Sequence, residues 1–443
     1  MAKKKQIELT IEEKLQNALV PKEEQPYKIP SNWCWTYIHN IAIVVTGKTP
    51  SKKNKEYYGG KFPFFKPADL DAGRNMQYAT EYLSEKGKSI SVIIPEKATG
   101  ICCIGTIGKC GYFLVEGTTN QQINTVISKI NPLYSYYFFN TNSFVRELIF
   151  KASATTIAIV NKSKLESCLF PVATLNEQQR IVNRIESLFV KLDRAKELIE
   201  NTFAQFEQNK MAILHKAFTG ELTVKWRKEN NIDLSSWKKC ELKEVFKVVK
   251  DKYNPQTENQ IVNYIGLENI ETSKGIISKS NSSEVKSIKT KFKKDDVLYG
   301  KLRPYLNKHD VVNFDGICST DILVFRFNDI NTAKYINYYF NLPMFIQYAV
   351  ENSSGINLPR VSEKTISKYK ISLPTIEEQQ EIVNILDNLL AKYNKIKNLE
   401  QQLEKIELLK KAILAKAFRG ELGTNNPDEE SAENLLKEIL AEK

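Results

Sequence analysis

Apolar residues recur at helical spacing along two long stretches of this chain. In the first, Ile181, Ile185, Leu188, Leu192, Ala195, Ile199, Phe206 and Ile213 follow at steps of four, three or their sum, interrupted at Thr202 and Asn209. No Gly or Pro falls before Gly220. The spacing therefore predicts one helix over 176–217, stopped by that glycine. The second stretch carries Ile382, Leu386, Leu389, Tyr393, Ile396, Leu399, Leu403, Ile406 and Ile413, with Gly420 after its end. Its two successive steps of three at 393–396–399 mark a local shift of register. Stripes this narrow are seams for another helix. The seam residues expected are Ile185, Leu188, Leu192, Ile199 and Phe206 on the first helix, and Leu386, Leu389, Ile396, Leu403 and Ile406 on the second. Each helix follows its own globular stretch and exceeds the usual globular length. The simplest closure pairs the two as an antiparallel coiled coil.

Both stretches end alike. KAFTGEL occupies 216–222 and KAFRGEL occupies 416–422. LNEQQRIVN at 175–183 likewise stands against IEEQQEIVN at 376–384. The offset is 201 at one landmark and 200 at the other. A period near 200 exceeds that of solenoid repeats, about 20–50 residues, and implies a duplicated domain-plus-helix unit. Fainter landmarks agree. IPSNW at 29–33 faces LSSW at 234–237, FKPADL at 65–70 faces IGLENI at 265–270, and SATT at 153–156 faces SSGI at 353–356.

Between the landmarks, short apolar runs predict strands at Ser91–Ile94, Ile101–Ile104, Val297–Lys301 and Ile322–Phe325, separated by lysine-rich loops. Residues 9–20 and the tail around Leu435, Leu436, Ile439 and Leu440 predict short amphipathic helices that meet and close a ring. The fold class expected is α+β. Two mixed α/β domains are each followed by a long helix, and the whole forms a pseudo-twofold circular repeat. The boundaries read as an N-terminal segment 1–30, a first domain 31–172, a helix 173–218, a linker 219–236, a second domain 237–372, a helix 373–418 and a tail 419–443.

Charge changes the picture. Of the net +12, residues 31–170 hold 16 basic and 9 acidic side chains, and 235–372 hold 22 and 15, so each globular stretch carries +7. The first 30 residues add +1, 171–234 add +1 and 373–443 subtract 4. The basic excess thus sits in the variable domains, which fits contact with phosphate. Candidate DNA contacts follow from loop character. They are Lys48, Lys52 and Lys53 in one turn, Lys66, Lys109 after a glycine-rich loop, and the amides Asn120 and Gln121. The second stretch offers Lys252, Tyr253, Lys301, Arg303, Tyr305 and Arg360. Lysine and backbone N–H groups hold phosphates, while arginine and amides read base edges.

Several chemistries find no support. Gly100 and Gly105 have P-loop spacing, but Thr106 follows where lysine is required. The three histidines show no metal-ligand spacing, Asp295-Asp296 is an isolated acidic pair, and no catalytic constellation stands out. Seven cysteines show no CxxC pair, and the first residues lack an apolar signal core. Reduced, buried thiols and a cytoplasmic location are expected. No run of eighteen apolar residues predicts a membrane span.

These features resemble the specificity (S) subunits of type I restriction–modification systems over nearly the whole chain. The resemblance rests on the repeated EQQ and KAFxGEL ends, on Trp33 and Trp237 opening the two domains, and on Gly-Thr-Ile-Gly at 105–108, where the second copy has Gly300-Lys301-Leu302-Arg303. That departure implies that the domains read different sequences. The resemblance implies that each domain reads half of a bipartite site in double-stranded DNA. The helices then set the gap and dock two methyltransferase (M) subunits, and restriction/translocase (R) subunits join for cleavage. This chain would bind no cofactor; S-adenosylmethionine, ATP and Mg would belong to the partners. A modification-only system, a stand-alone DNA-binding regulator and a coiled-coil scaffold remain the alternatives.

Overall fold

The computed structural model describes residues 9–153, 158–258, 260–272, 274–396 and 398–442. The chain divides into two compact units, Met1–Leu198 with Gln401–Lys443, and Ile199–Glu400.

The first unit is built on four antiparallel strands in the order Ala42–Thr46, Ile123–Ser128, Thr99–Cys102, Cys110–Tyr112. Tyr58–Phe65 forms a second sheet between Glu81–Leu83 and Thr118–Thr119. The second unit repeats the four-strand order with Phe246–Val248, Ile322–Phe327, Val297–Gly300 and His309–Val311. Successive residues of a strand face opposite sides, and here both sides are covered. Val297 and Tyr299 join the cluster around Phe340 and Phe345, whereas Leu298 joins Ile265, Ile270 and Phe292 on the other side. Burial on both faces turns alternation into a continuous apolar run.

Ser91–Ile94, expected as a strand, forms none. Ile94 alone exchanges backbone bonds with Gly117, at 2.8 and 3.0 Å, and Pro95 then supplies no N–H to continue a ladder. The run is apolar because Ile94 is buried in a core cluster that Val92 packs against.

Three helices follow each sheet: Pro132–Phe139, Asn142–Lys151 and Lys162–Glu166 in one unit, and Ile330–Tyr339, Pro343–Glu351 and Glu363–Ser367 in the other. A two-stranded ribbon then joins the domain's ends. It pairs Cys34–Tyr37 with Leu169–Val172, and Lys238–Glu241 with Lys370–Leu373. The long helix starts directly after the ribbon.

Its start is fastened by the repeated EQQ. Trp33 Nε1 donates to Glu177 Oε2 at 2.8 Å, and Trp237 Nε1 donates to Glu378 Oε2 at 2.9 Å. Gln178 accepts from the backbone N–H of Asn131 at 3.0 Å, and Gln379 accepts from the Thr332 hydroxyl at 2.7 Å. All four EQQ side chains named are buried. The third residues, Gln179 and Gln380, bond to Asn183 and Asn384 one turn on, both at 2.8 Å. The motif is thus a clamp between each helix and the domain before it.

The first long helix spans Leu175–Thr219 over 45 residues, about 65 Å at 1.5 Å per residue. The second is described as Ile376–Ile396 and Asn398–Ala417. Gly220 and Gly420 adopt φ of 82° and 75° just past the ends, and the N–H groups of Leu222 and Glu421 return to the Lys216 and Lys416 carbonyls at 2.9 Å. Within the first unit, Lys410 Nζ meets Asp193 at 2.6 Å and Lys196 Nζ meets Glu407 at 3.6 Å, so the two helical segments there run in opposite directions. Of the expected seam, Ile185, Leu386 and Ile406 are buried. Leu188, Leu192, Ile199, Phe206, Leu389 and Leu403 are only partly covered. The side chain of Ile396 lies outside the described residues. The well-buried positions instead cluster at the helix ends, at Ile181, Val182, Leu214, Ala217, Ile382, Val383, Leu414 and Ala417.

Chain head and tail share a core. Leu15 and Ala18 of the helix Ile11–Ala18 pack in one cluster with Leu436 and Ile439 of the helix Ala432–Ala441. Lys437 meets Glu12 at 3.2 Å, and Ala432 N–H donates to the Asn32 carbonyl at 2.9 Å.

Candidate nucleic-acid interface

In the first unit, the lysine turn lies against the amide-rich turn. Lys48 N–H donates to the Thr119 carbonyl at 2.9 Å, and the Thr49 hydroxyl reaches Gln121 Oε1 at 2.5 Å. Gly47 permits this approach, because a Cβ there would lie 2.3 Å from the Asn120 carbonyl oxygen. Lys48, Lys52, Lys53 and Gln121 are exposed, and the three lysines make no side-chain hydrogen bond or ion pair. Lys66 instead pairs with Glu81, and Lys109 with Asp71 at 2.7 Å, so their charge is largely answered within the protein. Asn120 corrects the expectation of a displayed amide. It is buried, its Nδ2 donating to Gln122 Oε1 at 2.9 Å and its Oδ1 accepting from Gln122 N–H at 3.1 Å. It shapes the turn that carries Gln121.

In the second unit, three candidates, Lys301, Arg303 and Arg360, come together on backbone bonds. Lys301 N–H donates to the Asp321 carbonyl at 2.9 Å, and the Lys301 carbonyl accepts from Val361 at 3.0 Å. Arg303 N–H donates to the Pro359 carbonyl at 2.7 Å, and Leu302 bridges Arg360. Tyr305 follows in the same loop and is 53% exposed. Arg360 Nε is held by Asp321 Oδ1 at 3.1 Å, whereas Arg303 is exposed with no side-chain partner. Lys252 is exposed but not part of this group; its Nζ lies 3.4 Å from the Thr290 hydroxyl. Tyr253 is a second correction. It is 4% exposed, with its hydroxyl donating to the Glu258 and Gln260 carbonyls at 2.9 and 3.2 Å, and it pins a loop rather than facing solvent.

Asp321 was not among the expected contacts, and neither was the strap from Ser354 to Pro359 that seats the expected Arg360. The strap's signal was present in the repeated landmark SATT/SSGI, of which residues 154–156 lie outside the described residues. The acidic pair is structural in part: Asp296 takes both forks of Arg326, at 2.8 and 2.7 Å.

Burial pushes the thiols up, Cys103 to about 11 and Cys34 and Cys318 to about 12, so these cysteines stay protonated. Burial lowers the His309 pKa; the ring sits between Asn307 and Asn337. Among the described residues no group of three His, Cys, Asp or Glu side chains could hold a metal, and no helix is long and apolar enough to cross a membrane.

Each copy of the repeat is thus a mixed domain that displays basic side chains without a protein partner, Lys48, Lys52 and Lys53 in the first and Arg303 in the second, and is followed by a long helix. The family model for the type I restriction modification DNA specificity domain matches residues 30–201 and again 235–408, and the chain belongs to that family. The specificity subunit of type I restriction enzyme EcoDI from Escherichia coli is 24% identical over 94% of this chain and 96% of its own length. That of MjaIX from Methanocaldococcus jannaschii is 25% identical over 90% and 96%. Among solved structures, the HsdS subunit from Thermoanaerobacter tengcongensis has a TM-score of 0.57 at 18% identity, covering 90% of this chain and 99% of its own. A chain from a type I R-M system assembly reaches 0.68 at 17%, covering 89% and 100%. These likenesses carry the fold.

Proposed function

We propose that this chain is the DNA-recognition subunit of a type I restriction–modification complex, each unit reading one half of a bipartite site. The observation that carries this reading is the double occurrence of the DNA specificity domain on one chain, each copy followed by a long helix and clamped to it by EQQ. The long helices pair as an antiparallel coiled coil in a pseudo-twofold circular arrangement. That pairing sets the gap between half-sites and docks two methyltransferase subunits, with restriction/translocase subunits joining for cleavage. The opposed ion pairs of the first unit and the packed head and tail support this arrangement. The partly covered seam residues leave apolar surface for further helices. The chain itself is non-catalytic and cytoplasmic. S-adenosylmethionine is held by the methyltransferase, ATP and Mg by the translocase. Two modest half-site contacts on one stiff spacer gain affinity through effective concentration only when the geometry fits.

The test is methylation mapping. The chain is co-expressed with its cognate methyltransferase in a methylation-free host, and modified bases are detected by sequencing. The expected result is one split motif, modified on both sides of a fixed gap and lost when this chain is omitted. A soluble complex that leaves no motif would overturn the reading.

A further inference from the structure

The two units correspond residue by residue around one loop. In the first unit Cys102 N–H donates to the Lys109 carbonyl at 2.8 Å, Cys103 N–H to Gln122 at 2.8 Å, and Val160 N–H to Cys103 at 2.9 Å, while Ile104 bridges Ile159. In the second, Gly300 N–H donates to Lys308 at 2.7 Å, Lys301 to Asp321 at 2.9 Å, and Val361 to Lys301 at 3.0 Å, while Leu302 bridges Arg360. This register sets Gly105 against Arg303 and Gly108 against Asn307. It corrects the sequence match, which had set Gly105–Gly108 against Gly300–Arg303.

All four residues have positive φ: 83° and 86° at the glycines, 52° at Arg303 and 42° at Asn307. Glycine takes that conformation without steric penalty, and asparagine tolerates it. Arginine adopts it only at a cost, and Arg303 also precedes Pro304, which narrows its backbone further. The strained residue is held from both sides. Its N–H donates to the Pro359 carbonyl at 2.7 Å, and its carbonyl accepts from Leu306 at 2.9 Å. Yet its side chain gains nothing from the protein, being exposed and without hydrogen bond or ion pair. A Cβ placed on Gly105 would meet nothing within 4 Å, so the corresponding position in the first copy is open as well. Strain kept at a residue whose side chain makes no hydrogen bond or ion pair in return points to a ligand outside the chain.

We propose that Arg303 is a dedicated DNA contact of the second unit, held in a left-handed turn that aims its guanidinium at two coplanar acceptors. These are either phosphate oxygens or the O6/N7 edge of a guanine. The proposal rests on the reading of this unit as a half-site reader.

The experiment uses the assembled complex with its methyltransferase. Binding to the mapped site and to unrelated DNA is measured across a salt series, beside thermal melting, for Arg303→Gly, Arg303→Lys and Asn307→Gly. Glycine at 303 relieves the backbone and removes the fork. The expected result is a melting temperature equal to or above the parent's with affinity for the site lower by about ten- to a hundredfold. Arg303→Lys should recover part of the affinity, and Asn307→Gly should keep it. Lost discrimination at one base pair assigns a guanine. An equal loss on all DNA, with a salt slope smaller by about one, assigns a phosphate. Parental affinity in Arg303→Gly, or a fall in melting temperature alongside affinity, would overturn the proposal. A parent complex that binds the mapped site no better than unrelated DNA would instead sink the half-site reading.

Discussion

Glu177 and Glu378 occupy the same place in the repeat but meet different company. Glu378 takes the Thr223 hydroxyl at 2.6 Å and the Arg227 guanidinium at 2.5 Å, in addition to Trp237. Glu177 has no cation in direct contact. Trp33 and Asn425 Nδ2 both donate to its Oε2, at 2.8 Å each, and its buried Oε1 has no hydrogen-bond partner. Burial holds the Glu177 pKa above 4.5; the bonds from Trp33 and Asn425 and the nearby Arg180 pull it down, and Glu429 pushes it up. A raised pKa means that the folded chain binds this proton more tightly than the unfolded chain. The penalty of ionisation therefore grows as pH rises from about 4.5 through the folded value and is complete above it. Glu177→Gln keeps an acceptor for Trp33 and Asn425 and removes the charge. Its melting temperature should match or exceed the parent's at pH 7, and the difference should shrink as pH falls toward 4.5. A variant weakened most at pH 7 would show that Glu177 is held as an anion.

At the scale of elements, the shared KAFxGEL ends are sockets. Phe418 is fully buried against Tyr134 and Phe138, with ring centroids at 4.9 and 5.2 Å. Phe218 meets Tyr335 and Tyr339 at 5.0 and 4.9 Å but is only partly buried. The first long helix is thus clamped by EQQ in one unit and plugged by phenylalanine in the other, and the second helix does the converse. Phe418→Ala should lower stability by about 3–5 kcal/mol by leaving a cavity, with Phe218→Ala costing less; denaturant midpoints at constant slope check both. Equal, small losses would mean that the helix ends are not anchored by these rings. The helices and their glycine stops were legible because a helix with one covered face displays its period in the residues themselves. The strand Val297–Gly300 showed only as an apolar run, since both of its faces are buried. Ser91–Ile94 misled for the same reason, being apolar for the core without a strand to pair with. The site was legible as a set of loops but not residue by residue. Whether Lys66 finds Glu81, or Asn120 folds onto Gln122, depends on partners that loop composition does not encode.

At the scale of the whole molecule, the proposed two-half-site reading makes function depend on a length. The EQQ clamps and phenylalanine sockets tie helix ends to domains, whereas Leu188, Leu192, Ile199 and Phe206 along the first helix are only partly covered. The middle of the helix is therefore the part that can change without unmaking either domain. Four residues inserted after Ile199 add about 6 Å and roughly one helical turn, returning the seam nearly to its original face. Such an insertion leaves Trp33–Glu177 and Phe218–Tyr335 intact, and on the proposed reading it alters how far apart two half-sites can be read. Half-site spacing follows from protein geometry. The expected outcome is an unchanged pair of half-sites separated by a different gap, read by the same modified-base sequencing. If the gap stayed the same while methylation persisted, the helices would not act as the ruler, and spacing would have to be set by the partner subunits. If the half-sites themselves changed, the recognition surfaces would have to extend onto the helices, against the placement of the unpartnered Lys48, Lys52, Lys53 and Arg303 on the globular domains.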